Sequence, residues 1–479
     1  MKKLFLLLFI SFTQIGYSQT PVSGGIFANT VWTAANSPYL LTGPIVVFPG
    51  NTLTIEPGVI VKVQFKGYNT GLMSYIELRG NMVANGTSTM PIKFEAELNT
   101  TDYTWRGIEI KSKQGGQFFG SNFEFNNSFN GISSDKIYLD TLSFNNCIFK
   151  HNNYAINLAG NIKLNNCTFI NNGAAMAAMI SFGGVTATNC NFQNNGVCFT
   201  TLANPLMVSN SQFVGGRTAI MQCRGLVENC SFSGLEVAIE NCYGLEIKNC
   251  MLQQNGTAVL GANQTTMEGN VVIANNLGLD ITGPCVIVNN DFNANQVGVK
   301  VSGMFEPGQT IQNFTENRLC FNSVYNLENG SDLNLGLEKN CFCLQDSAAI
   351  EALIYDGYDD FTRGLINFAT YDTACVILLK SYKKVQITTA IANEPIEKQF
   401  LIYPNPASDE FWIKPSKAAA IDFIELYSMD GKLVKVLQPF KVGSASDAFQ
   451  FNVLGLNQGI YMLKIQVGNA SYVKKMIIE

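Results

Sequence analysis

The chain has 479 residues, with 31 Lys and Arg against 36 Asp and Glu, one histidine and a net charge of −5. Charged residues make up 14% of the chain while the hydrophobic fraction is 47%, and this balance excludes a disordered protein. The mild acidity without a basic run excludes a nucleic acid partner, and the single His151, which we expect in a surface turn, excludes a multi-histidine metal site. Any catalysis would depend on carboxylate, Lys, Arg or Tyr side chains.

Residues 1–18 have the pattern of a secretory signal peptide. Lys2 and Lys3 precede a short apolar run over residues 4–10, and the small residues Gly16 and Ser18 lie just before the expected cleavage at Gln19. The apolar run is too short for a membrane span, which needs about 20 residues. We therefore expect a protein that is exported through the periplasm and has no membrane span.

A repeat of about 20 residues dominates the centre of the chain. Each copy has an anchor residue, followed three and ten positions later by apolar residues. The anchors are Asn146, Asn166, Asn189, Asn210, Asn229, Asn249, Gly269 and Asn289, with a degenerate earlier copy at Asn122. The column three positions later consists of Phe149, Phe169, Phe192, Phe213, Phe232, Leu252, Val272 and Phe292. Short strands that recur at this period predict a solenoid with one coil per repeat.

Asparagine occupies the positions at which such coils must turn. The asparagines six residues after their anchors are Asn152, Asn172, Asn195, Asn255, Asn275 and Asn295. Asparagine tolerates left-handed backbone geometry, and copies stacked about 4.8 Å apart can hydrogen-bond to one another. The frame of a leucine-rich repeat, which has a similar period, is absent. The sequence therefore predicts an all-β protein whose first domain is a parallel β-helix.

The cysteines follow the same repeat. Five of them share the position after the anchor, namely Cys147, Cys167, Cys190, Cys230 and Cys250. We expect these to be small buried side chains, with disulfides as the alternative that export permits. Cys223 and Cys242 share another column and are the better candidates for a disulfide between coils. The C-x-C motif at Cys341 and Cys343 lacks the partner spacing of a zinc site, so no metal is assigned.

Several segments outside the repeat carry family motifs. They are GPIVV at 43–47, LTIEPGV at 53–59, IELRG at 76–80, PIKF at 91–94, WRGI at 105–108 and the closing segment 346–368. Together they resemble the right-handed β-helix proteins of the pectin-lyase-like group. The resemblance implies a right-handed parallel β-helix over residues 19–380, with N-terminal entry coils and a C-terminal cap. Cys341-Phe342-Cys343 replaces the Trp-Trp-Gly element that usually precedes this cap, so a disulfide is one way to hold it.

The pattern changes after residue 380. Residues 381–398 form a polar linker, and residues 399–479 contain about seven short alternating strands, which predict a small β-sandwich. Its motif residues are Tyr403, Pro404, Asn405, Pro406, Asp430, Gly431, Gly459, Tyr461, Lys474 and Lys475. Their order and spacing resemble the type A C-terminal sorting domain of the type IX secretion system in Bacteroidetes; a generic adhesive sandwich is the alternative. The resemblance implies the type IX machinery as a partner and a secreted or outer-cell-surface location.

Charged residues on the repeat are weak candidates for chemistry. Arg217 and Glu236 both lie seven residues after an anchor, so we expect them side by side on adjacent coils. Pectin-lyase-like lyases use Lys or Arg as a base together with calcium, and the glycosidases use paired carboxylates. The resemblance thus makes Arg217, Arg224, Glu236 and Glu240 candidate catalytic residues. The structural alternative is ordinary ion pairing between neighbouring strands.

Two functions of different classes are compatible with these features. The low charge of the repeat favours a monomeric, exported, non-catalytic module that binds carbohydrate or adheres to another cell. The alternative is a polysaccharide lyase or glycoside hydrolase of the pectin-lyase-like type. No cofactor is expected, and calcium enters only with the lyase. Asp356, Asp359 and Asp360 lack the spacing of a calcium loop, so a solvated or capping role is expected for them.

Overall fold

The computed structural model describes residues 19–67, 71, 73–98, 100–135, 138–177, 183–200, 205–303, 311–373, 375, 400–415, 423–428, 433–437, 440–441, 449–453, 456–467 and 470–478. The predicted signal peptide, 1–18, and the predicted linker, 381–398, lie outside these residues. The chain divides into two compact units, residues 1–389 and 390–479.

The first unit is a parallel β-helix of about 13 turns, which confirms the predicted fold. Its coils contribute strands to three faces. Face 1 is a 13-stranded parallel sheet of Thr30–Trp32, Thr52–Ile55, Asn81–Asn85, Gln117–Ser121, Tyr138–Asn145, Gly160–Asn165, Val185–Thr188, Leu206–Ser209, Gly225–Glu228, Leu245–Lys248, Thr266–Glu268, Val286–Val288 and Asn313–Thr315.

Faces 2 and 3 form one 25-stranded sheet, because four long strands run through both. These are Thr20–Ile26, Tyr39–Val47, Asn191–Thr200 and Gln212–Met221. The other strands of face 2 are Ile60–Val63, Ile92–Ala96, Phe123–Asn126, Ile148–Lys150, Thr168–Ile170, Ser231–Ser233, Met251–Gln253, Val271–Ile273, Asp291–Asn293 and Arg318–Cys320. Those of face 3 are Tyr75–Leu78, Gly107–Ile110, Ile132–Ser134, Tyr154–Asn157, Ala174–Ala177, Val237–Glu240, Thr257–Ala262, Leu277–Ile281, Val297–Val301, Tyr325–Asn329 and Ile354–Tyr355.

The core of the helix consists of the apolar columns that the repeat predicts. The phenylalanine column pairs in register from coil to coil, and every ring in it is buried. From Phe149 to Phe232 the rings are stacked with centroids 4.6–5.0 Å apart and planes within 7° of parallel. Strand alternation thus directs one residue type into the interior on five successive coils, where dispersion between parallel rings adds to apolar burial.

Residues in left-handed conformation turn two corners of each repeat coil. The first is the anchor, with φ between 49° and 57° at the asparagine anchors. The second lies five residues later; it is His151, Asn171, Asn194, Gln254, Ala274 or Ala294, with φ of 51–57°. The asparagines six residues after the anchors are therefore not the left-handed residues. They follow the corner and direct their side chains inward, where they are buried.

These buried asparagines hydrogen-bond to one another across coils. The Asn172 Nδ2 donates to the Phe149 carbonyl at 3.1 Å and to the Asn195 Oδ1 at 2.9 Å. The Asn172 Oδ1 accepts from the backbone N and the Nδ2 of Asn152, both at 3.0 Å. The same pattern joins Asn255, Asn275, Asn295 and Asn322. Each side chain satisfies backbone groups that the corner leaves without a partner.

The first corner holds a column of mixed composition. The residue after the anchor is Cys147, Cys167, Cys190, Ser211, Cys230 or Cys250 in the earlier coils and Asn270, Asn290, Asn317 or Asn340 in the later ones. The Cys250 amide donates to the Asn270 Oδ1 at 2.9 Å, and the Cys230 amide donates to the Cys250 Sγ at 3.5 Å. Cysteine and asparagine thus perform the same task at this corner, namely accepting a backbone N–H.

The candidate disulfide between Cys223 and Cys242 is not formed. Both side chains are buried thiols, and the Cys223 amide donates to the Cys242 Sγ at 3.4 Å, so the pair takes part in a corner column. Burial raises the pKa of Cys242 to about 11, and burial raises the pKa of Cys285 to about 11 as well. Thiols that stay protonated are unreactive.

The Ala294 corner permits a direct test of backbone strain. Ala294 is exposed with a φ of 53°, a conformation that costs an L-residue about 1 kcal/mol or more. We expect Ala294→Gly to raise the free energy of unfolding by up to about 1 kcal/mol in urea titrations, because glycine adopts this conformation without steric cost. As a control, Ala258→Gly in a buried strand should lower it by about 1 kcal/mol. A loss in both variants would contradict the corner argument.

Two disulfides close the C-terminal end of the helix. Cys320 is bonded to Cys343 and Cys341 to Cys375, with sequence separations of 23 and 34 residues. The cap also contains the short helix Ser347–Glu351 and the strand pair Leu335–Gly336 and Ile366–Asn367. Asp356 is fully buried there and accepts hydrogen bonds from the N–H groups of Tyr358 and Ile366, so it connects segments of the cap.

Two 3-10 turns, Ala34–Asn36 and Ser112–Gln114, complete the unit.

The second unit contains two antiparallel sheets of four strands. One consists of Phe400–Tyr403, Glu410–Pro415, Phe440–Lys441 and Phe449–Asn452, and the other of Phe423–Ser428, Leu433–Leu437, Gly459–Val467 and Ala470–Ile478. Residues of both sheets, including Phe411, Ile413, Leu426, Leu463 and Ile465, share one buried core. Every second side chain along a strand points to the same face of its sheet, and the inward side chains of the two sheets form this core.

Candidate functional site

The residues predicted for chemistry are divided between two faces. Because Thr218 is in register with Val237, Arg217 and Glu236 lie side by side on adjacent coils of face 3. The Arg217 Nη1 lies 3.7 Å from the Glu240 Oε2, which also accepts a hydrogen bond from the Thr218 hydroxyl at 3.1 Å. Glu236 is exposed beside this pair. Arg224 is exposed beyond the left-handed corner at Gln222, where face 1 begins.

A larger charged cluster lies on the entry coils of face 3. This N-terminal cluster consists of Glu77, Arg79, Arg106, Glu109 and Lys111. Glu77 and Glu109 are in register on adjacent coils. The Arg79 Nε is 2.5 Å from the Glu77 Oε1, the Lys111 Nζ is 2.5 Å from the Glu109 Oε1, and the Arg106 Nη2 is 3.4 Å from the Glu109 Oε2.

Sequence reasoning missed this cluster, although a signal was present. Residues 75–79 read YIELR and residues 107–111 read GIEIK, so the same pattern of Ile, Glu, an apolar residue and a cation occurs twice. Desolvation would lower the pKa of Lys111, but the hydrogen bond that Lys111 donates to Glu109 and the charges of Glu109 and Glu77 outweigh it and raise this pKa. The Arg106 guanidinium also lies 4.5 Å from the Tyr75 ring centroid. Both carboxylates of the cluster are therefore paired with cations.

The same outward column of face 3 becomes charged again near the cap. Asp280, Lys300 and Glu328 are in register on successive coils. The Lys300 Nζ is 2.8 Å from the Glu328 Oε1, and the Arg363 Nη1 lies 4.0 Å from the same oxygen. Asp280 accepts hydrogen bonds from the Gly261 amide and the Ser302 hydroxyl. The carboxylates of Asp280 and Glu328 thus both accept hydrogen bonds from neighbouring residues.

The cap loop presents two aromatic rings to solvent. Tyr358 is 78% exposed and Phe361 is 94% exposed. The loop that carries them is fixed by hydrogen bonds, because Asp360 accepts from the amide and hydroxyl of Thr362 and from the Arg363 Nε. The hydrogen bonds to Thr362, more than that to Arg363, lower the pKa of Asp360.

The cysteines of the cap form the group that most resembles a metal site. The Sγ atoms of Cys320, Cys341 and Cys343 lie within 4.8 Å of one another. All three sulfurs are bonded in disulfides, so none is present as the thiolate that zinc requires. These sulfurs instead link the last coils to the cap through disulfide bonds.

The described residues of the predicted sorting signal lie in strands of the second unit and in the turn after its first strand. Tyr403 ends the first strand, and Pro404, Asn405 and Pro406 form an exposed turn in which the Asn405 Oδ1 accepts the Ile477 amide at 2.8 Å. Gly459 begins a long strand, and the buried Tyr461 donates its hydroxyl to the Asn457 carbonyl at 2.7 Å. The backbones of Lys474 and Lys475 lie opposite Leu463 and Met462. Asp430 and Gly431 lie outside the described residues.

Residues 401–479 match the family model described as the secretion system C-terminal sorting domain. This segment is a type IX secretion sorting domain. The protein is therefore secreted by the type IX system to the cell surface or the extracellular space, and its sorting domain implies contact with the secretion machinery. Among the described residues, no helix is long and apolar enough to cross a membrane.

The chain is similar to two solved structures. The periplasmic alginate epimerase AlgG is 13% identical, with 70% of this chain and 78% of that chain covered and a TM-score of 0.33. The tailspike protein of Acinetobacter phage vB_ApiP_P1 is 14% identical, with 90% and 72% covered and a TM-score of 0.15. A comparison of the sequence with curated proteins finds no match.

Proposed function

We propose that this secreted β-helix binds carbohydrate without cleaving it. The observation that carries the proposal is the pairing of carboxylates on face 3. Glu77, Glu109, Glu240 and Glu328 each lie within 4.0 Å of a Lys or Arg nitrogen. These carboxylates are occupied by ion pairs within the protein, whereas a glycosidase needs two carboxyl groups that are free to flank the glycosidic bond.

The pairing also opposes lyase chemistry at the N-terminal cluster. A lysine that removes a proton from a sugar ring must itself be uncharged. The carboxylates around Lys111 raise its pKa and keep it charged. The loop that exposes Tyr358 and Phe361 supports binding instead, because exposed aromatic side chains on an ordered loop are common in recognition surfaces.

The alternative is a polysaccharide lyase or glycoside hydrolase centred on Arg217, Glu236 and Glu240. One observation favours it. Arg217 and Glu236 meet side by side on one face, and Glu236 is exposed while Glu240 takes the ion pair with Arg217. The Glu240 carboxylate is thus paired with Arg217, whereas the Glu236 carboxylate is accessible. Arg224 lies beyond the next corner, where face 1 begins. Calcium would be required only for the lyase.

A polysaccharide panel separates the two functions. The mature chain is incubated with neutral and acidic polysaccharides, with and without calcium, and both retention on the polymer and product size are measured. We expect retention without any change in polymer length. Depolymerisation that disappears in Glu236→Gln and Arg217→Ala would instead support the enzyme, and Asn157→Ala, on the same face, is the matched control. If no polymer is retained or cleaved, the proposed function is wrong.

A further inference from the structure

Face 2 carries an uncharged surface over six successive coils. We call the outward side chains of segments 168–170, 191–193, 212–214, 231–233, 251–253 and 271–273 the neutral strip; each segment contributes its first and third residue. These residues are a mixture of Asn, Gln, Ser and Thr with Ile, Val and Met, and none is charged. With strands about 4.8 Å apart, the strip is about 24 Å long.

The charges of face 2 begin where the strip ends. On one side Glu124 lies between Lys93 and Lys150, at 3.9 and 3.7 Å. On the other side Arg318 binds Asp291 through two hydrogen bonds of 2.6 and 2.8 Å. Over the coils of the strip itself, charged side chains occur on faces 1 and 3, as with Lys248 and Arg217. The absence of charge is thus specific to this surface.

The strip also contains an acceptor that the protein does not use. Asn191 is 3% exposed, in register with Thr168 and Gln212, and its Oδ1 has no hydrogen-bond partner among the described residues. Buried polar atoms are nearly always hydrogen-bonded, so an orphaned acceptor on an outward position indicates a donor from outside. The nearby amides of Gln193 and Gln212 can donate and accept, as hydroxyl groups do.

We propose that the neutral strip binds an uncharged, hydroxyl-rich polysaccharide that lies along successive coils; this inference rests on the proposed carbohydrate-binding function. Amide and hydroxyl side chains match sugar hydroxyls, and the aliphatic side chains between them contact the apolar faces of the rings. An acidic polymer would lose the hydration of its carboxylates against a surface that offers no cation, which is unfavourable. The selection of a neutral polymer follows from this charge pattern.

The test adds charge to the strip without changing its shape. The mature chain, its variant Gln193→Glu/Gln212→Glu/Gln253→Glu and the control Asn276→Asp/Gln296→Glu/Asn313→Asp, which adds three charges on faces 1 and 3, are titrated against neutral β-glucan, neutral starch and acidic polygalacturonate. We expect the wild type to bind a neutral polymer, the strip variant to bind it at least about tenfold more weakly, and the control to bind within about twofold. Circular dichroism verifies that all three proteins are folded.

The outcomes separate this inference from the function on which it rests. Equal loss in the strip variant and the control, or unchanged binding by the strip variant, would place the polymer elsewhere and overturn the inference while carbohydrate binding stands. Preference of the wild type for polygalacturonate would also overturn it. Failure to bind any of the polymers, together with a negative polysaccharide panel, would remove the proposed function itself.

Discussion

Replacement of Asn172 by alanine is expected to lower the free energy of unfolding by about 4 kcal/mol, because it removes four hydrogen bonds inside the helix. The Asn152 amide and the Phe149 carbonyl would both lose the buried partner that Asn172 provides. A buried backbone group without a partner costs about 1–3 kcal/mol, and two such groups are created at once. Urea unfolding measures the total, and hydrogen exchange at the Asn152 amide measures the local effect.

Two further variants separate hydrogen bonding from packing at this site. Asn157→Ala, at a half-buried outward position, should change stability by no more than about 0.5 kcal/mol. Asn172→Leu restores the volume without the polar atoms, and Leu235 already occupies the equivalent position of another coil. We expect Asn172→Leu to be as destabilised as Asn172→Ala. A leucine variant as stable as the wild type would show that the column is held by packing.

Removal of the two cap disulfides is the second change with a large expected effect. In the chain-entropy account, loops of 23 and 34 residues correspond to about 3–4 kcal/mol for each bond. The quadruple variant with serine at Cys320, Cys341, Cys343 and Cys375 should therefore lose cap stability and become sensitive to proteases between residues 320 and 373. Limited proteolysis followed by mass spectrometry locates the cleavage.

A reductant provides the matched control for the cap variant. Reduced wild-type protein should be cleaved at the same positions as the quadruple variant. The variant itself should not respond to reductant, because its nine remaining cysteines are buried thiols in the native structure. Cleavage of the wild type that is unaffected by reductant would show that the cap is stable without its disulfides.

The central coils were predictable because a nearly constant period, 19–23 residues between anchors, relates their residues. The positions of Phe149 and Phe169 in the core follow from spacing alone, and the register of their strands confirms them. The corners were only partly predictable. Left-handed geometry was expected near the asparagines, but periodicity does not distinguish the residue that adopts it, Asn171, from the next residue, Asn172, which hydrogen-bonds inside.

The charged sites were harder to predict because they depend on coils of unequal length. Glu77 and Glu109 meet on face 3 although their coils do not share the 20-residue period of the centre. Likewise, the spacing of Cys341 and Cys343 does not show that each pairs with a cysteine from a different segment, Cys375 and Cys320. In both cases, the residues that come together depend on the length and course of individual coils. The spacing of apolar residues does not predict these features.

The uniform corners have a consequence for how such a protein can change in length. The coil from Asn249 to Glu268 and the coil that follows it share two left-handed corners, and each has a buried asparagine after the second corner, Asn255 and Asn275. Loss or duplication of such a coil would bring together ends that already match in backbone conformation and in hydrogen-bonding side chains. The helix can therefore gain or lose surface one coil at a time, in steps of about 4.8 Å, without a change in the two left-handed corners on either side.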